Sequence, residues 1–124
     1  MPPIPKPKKS NVKSKRAKCI ALSGKIATHS GVCMRCGRHS ETDPHHIVPR
    51  GHDRTVARTD NQIALCRQCH RYAHDNPDAF RYIIDSLFPG RRLMLEAVAR
   101  VNGKMDWDAV LDGLKTEAAI AGME

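Results

Sequence analysis

Aromatic side chains are scarce in this chain: one tryptophan, two tyrosines and two phenylalanines among 124 residues. A large ring-rich core is therefore excluded as its main source of stability. Long apolar runs are missing too, and nothing approaches the roughly 20 residues of a membrane-spanning helix. The first residues are charged and proline-rich with no apolar stretch behind them, so no secretory signal is expected. A cytoplasmic setting follows as the expectation, with thiols reduced. The length suits one domain with short appendages.

Acidic residues are absent from positions 1–18, which carry Lys6, Lys8, Lys9, Lys13, Lys15, Arg16 and Lys18, +7 of the formal +8. A lysine-rich, proline-spaced stretch of this kind buries too little to order itself. The reading is a disordered basic arm over 1–18 that lies along phosphates and adds salt-sensitive affinity without sequence preference.

What is present is cysteine in a pattern. Cys33 and Cys36 form one Cys-x-x-Cys pair, Cys66 and Cys69 a second. The span between is poor in large apolar residues, and so short a unit needs disulfides or a metal to fold. Four thiols in two knuckles suit a tetrahedral structural Zn²⁺. A redox role for one pair would require a βαβ pattern, which is lacking. Cys19 has no partner at knuckle spacing and reads as a small buried residue.

The chain divides into an arm (1–18), a zinc-stabilised core (19–76) and a helical extension (77–124). Residues 19–30 suit a short helix or strand. His45 to Val48 read as a strand stopped by Pro49 and Gly51, residues 50–60 as an arginine-rich loop, and Asn61 to Leu65 as a second extended stretch. Past Cys66 the spacing turns helical, placing His70 and His74 on one face until Asn76-Pro77. Three stripes at helical period follow: Phe80, Ile83, Ile84, Leu87 and Phe88; Leu93, Met94, Ala97, Val98 and Val101; then Trp107, Val110, Leu111 and Leu114 behind Asp106 as N-cap.

PHHIVPRG and DNQIALCRQCH, framed upstream by CMRC, resemble the His-Asn-His (HNH) endonucleases. The likeness spans roughly residues 31–76. It implies an α+β fold built on a small zinc-stabilised ββα-metal core, and a metal-dependent DNA endonuclease that leaves 5′-phosphate and 3′-hydroxyl ends. By that resemblance His46 is the general base, Asn61 ties the loop that orients it, and His45, His70 and His74 hold the catalytic cation. Cys33, Cys36, Cys66 and Cys69 are left to the structural zinc. Many relatives lack a histidine at the place of His74, so a phosphate contact or plain helix surface stays open there. The basic arm and helical tail resemble small nucleases of bacteriophages and mobile elements.

The chemistry is consistent with that division. Phosphodiester hydrolysis needs an activated water, a sink for the developing phosphorane charge and help for the leaving oxygen. A metal-bound imidazole nitrogen cannot also serve as free base, and adjacent strand residues point to opposite faces. Arg50, Arg54, Arg58, Arg67 and Arg71 supply guanidinium forks for DNA phosphates. None is spaced to read bases, so little sequence specificity is expected. The cation, whether Mg²⁺, Mn²⁺, Ni²⁺ or Zn²⁺, is left open, as are RNA in place of DNA and a monomer or dimer. The competing reading is a non-catalytic zinc-knuckle module that binds DNA as a packaging accessory. His29, His39 and His52 are read as surface residues.

Overall fold

The computed structural model describes residues 12–123. Among them the chain forms α1 (Val12–Thr28), β1 (Thr42–His46), α2 (Asp53–Val56), a 3₁₀ turn (Thr59–Asn61), β2 (Gln62–Cys66), α3 (Arg67–Asp75), α4 (Pro77–Leu87), α5 (Arg91–Ala99) and α6 (Trp107–Ile120). Two antiparallel strands followed by α3 make the expected α+β, ββα core. The register pairs Thr42 with Cys66, His45 with Ile63 and His46 with Gln62.

The chain is already helical from Val12, so the expected disordered arm does not include positions 12–18; the rest of that expectation, residues 1–11, lies outside the described region. Lysine and alanine are good helix formers, and two basic side chains dock on the fold. Lys15 reaches Asp108 at 3.0 Å. Arg16 pairs with Asp53 at 2.9 Å and donates to the Arg50 carbonyl at 2.7 Å. The fully buried positions of α1 are small residues, Cys19, Ser23 and Gly24, with Ile20, Leu22 and Ile26 half-buried against the second apolar cluster. Small size lets the helix approach the sheet closely: a Cβ on Gly24 would meet Pro44 Cγ at 3.3 Å. Ser23 Oγ accepts from Gln62 Nε2 at 2.7 Å. Cys19 is fully buried, as expected.

The strands sit slightly off the sequence reading. β1 ends at His46, and Ile47-Val48 continue as a loop; β2 starts at Gln62. The loop over 50–60 contains α2 and the 3₁₀ turn, whose Thr55 and Val56 are buried. Two apolar clusters result. One gathers Ile63 and Leu65 of β2, Cys33, Cys66 and Cys69, Ala73, and Phe80 and Ile84 of α4. The other joins Cys19, Val56 and Ala57 to Trp107 and Leu114 of α6.

Asn76 separates α3 from α4, its side chain donating to the Tyr72 carbonyl at 3.1 Å, and Pro77 opens α4 where a missing N–H costs nothing. Asp106 caps α6, accepting from Ala109 N–H at 3.1 Å. The α6 stripe packs inward as its period suggests, and in α4 Phe80 and Ile84 are buried while Leu87 is exposed. In α5 the stripe was misread: Leu95 is the fully buried residue, while Leu93 and Val101 are more than half exposed. With nine residues packed on α2, α4 and the 3₁₀ turn, one inward leucine suffices, and the expected stripe faces out.

Candidate metal centres

The first knuckle is a tight loop closed by Gly37 N–H to the Cys33 carbonyl at 2.8 Å and Cys33 N–H to the Arg38 carbonyl at 3.0 Å. Gly37 takes φ 73°, a left-handed turn that favours glycine. The loop docks on β2 through Met34 N–H to the Ala64 carbonyl at 2.8 Å. This carries Cys33 and Cys36 to Cys66, at the end of β2, and Cys69, in the first turn of α3. All four Sγ atoms lie within 4.8 Å of one another. Cys36 and Cys66 Sγ are 3.9 Å apart, against about 3.8 Å for one edge of a tetrahedron with Zn–S near 2.3 Å. The donor set therefore fits zinc.

The thiols are electrostatically unequal. Burial pushes Cys33 up, but the N–H groups of Cys36, Cys66 and Arg35 and the Cys36 side chain outweigh it and hold the thiol at about 6. Burial pushes Cys69 up to about 12, although the Arg35 guanidinium, 3.5 Å from its Sγ, pulls the other way. Arg35 also stacks over Tyr72, 4.1 Å from the ring centre.

A second group forms on the other side of α3. One ring nitrogen each from His45, His70 and His74 fall within 4.8 Å of one another. His70 and His74 share a helix face, and their Nε2 atoms are 3.2 Å apart. Two nitrogens about 2.0–2.1 Å from one tetrahedral ion would be about 3.3 Å apart. His45 comes across from β1 and packs edge-on against Phe80 with ring centres 5.1 Å apart. Burial, then the neighbouring His70, His74 and His46, hold the His45 imidazole down at about 4. Burial also lowers His70, opposed by Asp43. Three imidazoles brought together in this way suit a borderline or transition-metal cation.

His46 turns elsewhere. Its Nε2 lies 3.0 Å from the Val56 carbonyl of α2. A carbonyl can only accept, so Nε2 carries the hydrogen and Nδ1 keeps a free lone pair. Burial lowers its pKa, against the Val56 carbonyl and with the help of Arg50. His46 still lines the same open cleft of about 560 Å³ as His45, His70, His74, Asp43 and Arg50. Beneath it Asn61 is fully buried and bonded through its side chain to Val48.

Residues 33–76 match the HNH endonuclease family. Curated proteins and solved structures gave no match. The matched segment covers about a third of the chain and contains both clusters that could hold a metal, together with His46 and Asn61. The matched family is one of endonucleases. Among the described residues no helix is long and apolar enough to cross a membrane.

The arginines near the histidine cleft are not equivalent. Arg58 is committed to Asp60 through two bonds of 2.9 and 2.8 Å. Arg54 reaches under the chain to the Asn102 carbonyl at 3.1 Å, so closely that a Cβ on Gly103 would lie 2.6 Å from its Nη2. Both therefore have structural partners that compete with phosphate. Arg67 and Arg71 are exposed and loosely paired, at 3.8 Å to Glu41 and 4.0 Å to Asp75. Arg50 borders the histidine cleft itself. His29, His39 and His52 are exposed.

One residue escaped the sequence reading. Asp43 Oδ2 lies 3.9 Å from His70 Nδ1, behind the nitrogen that faces His74. The signal was present: Asp43 stands two before His45 in β1, and alternate strand residues share a face.

Proposed function

We propose that this protein is a metal-dependent DNA endonuclease in which His45, His70 and His74 hold one divalent cation and His46 is the general base. The observation that carries the reading is the split between neighbours: His45 joins the three-nitrogen group, whereas His46 keeps Nδ1 free beside it. A cation held there would polarise the scissile phosphate and ease departure of the 3′ oxygen. His46 Nδ1 takes the proton of the attacking water. The water oxygen bonds to phosphorus, the P–O3′ bond breaks, and the alkoxide takes a proton from solvent, leaving 5′-phosphate and 3′-hydroxyl ends. Asn61 fixes the loop after His46, and Arg50, Arg67 and Arg71 contact phosphates. The four-cysteine site supplies rigidity through zinc. None of these arginines is spaced to read base edges, so cutting has little sequence preference.

The test is nicking of supercoiled plasmid in Mn²⁺, Ni²⁺, Zn²⁺ or Mg²⁺ by wild type and His46→Ala. Rapid nicking by the wild type alone is expected, with Mg²⁺ the poorest activator because the ligands are all imidazole. A wild type no faster than the variant in every metal removes the proposal.

A further inference from the structure

Two clefts share His45 and His74. The larger holds His46 and Arg50. The second, about 210 Å³, opens beside His45 and His74; Ile47, Phe80 and Ile84 form its apolar floor, and Arg81 and Arg92 of the helical extension its basic side. The two arginines differ sharply. Arg92 is occupied: Nε and Nη2 bond Asp85 at 3.0 and 2.9 Å, and Nη1 bonds Glu96 at 3.0 Å. Arg81 makes no ion pair within 4.0 Å among the described residues and is exposed. Asp78 and Asp85 border a neighbouring hollow with it, but Asp85 is already spoken for by Arg92.

We infer that Arg81 holds a backbone phosphate on the side of the three histidines away from Arg50, so that the cleaved strand runs through both clefts. The inference rests on the proposed nuclease reading and extends it to a residue outside the HNH match, which ends at residue 76. Its physical basis is positioning. Without a contact in this second cleft, one flank of the scissile bond would be free to swing, whereas clamps on both sides align it for attack. A guanidinium fork suits a phosphate, and the apolar floor suits a sugar ring. Arg92, held by its two carboxylates, has no free charge to offer.

The experiment is fluorescence anisotropy of the full-length protein with a labelled DNA duplex in Ca²⁺, comparing wild type, Arg81→Ala and Arg81→Lys. A series of duplexes carries one neutral methylphosphonate each. Arg81→Ala should bind about tenfold more weakly, and its plot of log affinity against log salt should be shallower by about one. Arg81→Lys should recover the salt slope. One methylphosphonate position that weakens the wild type should leave Arg81→Ala unaffected, while positions read by other residues still matter. If Arg81→Ala matches the wild type in affinity, slope and every phosphate position, the inference is overturned. Wild-type plasmid nicking is scored separately. An active wild type with a neutral Arg81→Ala sinks this inference alone; an Arg81-dependent phosphate in a protein that never nicks sinks the nuclease reading alone.

Discussion

Asn61 closes both backbone groups of Val48: its Oδ1 accepts from Val48 N–H at 2.8 Å, and its Nδ2 donates to the Val48 carbonyl at 3.2 Å. A third bond, Ile47 N–H to the Asn61 carbonyl at 2.8 Å, completes the staple. The chain leaving His46 is thus pinned to the start of β2 in a site sealed from water. Asn61→Ala leaves two buried backbone groups unpaired, at a cost of roughly 2–4 kcal/mol. Urea unfolding should show a lower midpoint, and nicking should fall at least tenfold while cation affinity stays within about twofold. An unchanged midpoint would show that the staple contributes nothing to stability.

Adjacent histidines should give opposite defects. His46→Ala removes no ligand of the three-nitrogen group, so Co²⁺ or Ni²⁺ titration should match wild type while nicking drops by about 10²–10⁴. His45→Ala should instead weaken cation binding severely. Equal loss of metal in both variants would dissolve the division between ligand and base.

Metal content should be two-tiered, with one tight zinc per chain and one weaker, exchangeable cation. Because Cys69 and His70 are consecutive on α3, the sulfur site anchors the helix that presents two of the imidazoles. Stripping zinc with a strong chelator should abolish the cooperative thermal transition, since binding energy in small zinc modules is folding energy. Cys66→Ser should do the same and also lose the exchangeable cation. A purified chain that holds only the tight zinc would favour a pure binding module.

Asp43 stands behind His70 at 3.9 Å, close enough to bond its Nδ1–H after a small shift. Carboxylates in that position orient the imidazole and raise its basicity as a ligand. Asp43→Asn should weaken cation affinity about tenfold, read by isothermal titration, with the melting temperature little changed. Wild-type affinity in that variant would assign Asp43 to solvent.

Acid should destabilise the cation-free protein by a route that runs through His45. Its folded value is about 4, below the ordinary 6.5, mainly because of burial. Between those values the unfolded chain binds more protons, so stability rises with pH. The contribution is complete above about 6.5 and disappears as pH falls toward 4. His45→Gln, which cannot titrate, should have a flatter melting temperature across that window than wild type. Parallel curves for the two proteins would refute the linkage.

Legibility tracked the range of the signal. The thiol pairs, the helical spacing of His70 and His74, and the Asp106 cap are local, and each is where its spacing placed it. The helix α1 was legible only in part: residues 19–30 suited a short helix or strand, but its fully buried positions Cys19, Ser23 and Gly24 are small, and the lysine-rich first turns over residues 12–18 read as an arm. The α5 stripe misled, because an apolar residue at helical spacing does not say whether a partner exists. Arg54 and Arg58 read as free charge, since Asn102 lies far along the chain and the Asp60 pairing needs a local turn.

The amino-acid order alone determined which ligands exist: two thiol knuckles, a histidine pair on a strand and two histidines one helical turn apart. Those depend on bond geometry and strand or helix period, which act within a few residues. Only the tertiary structure decided which imidazoles face one another, which arginines remain free, and that Asp43 and Arg81 border the site. Those outcomes depend on the antiparallel pairing of β1 with β2 and on how α3 and α4 pack against it, contacts between residues distant in the chain that no local spacing encodes.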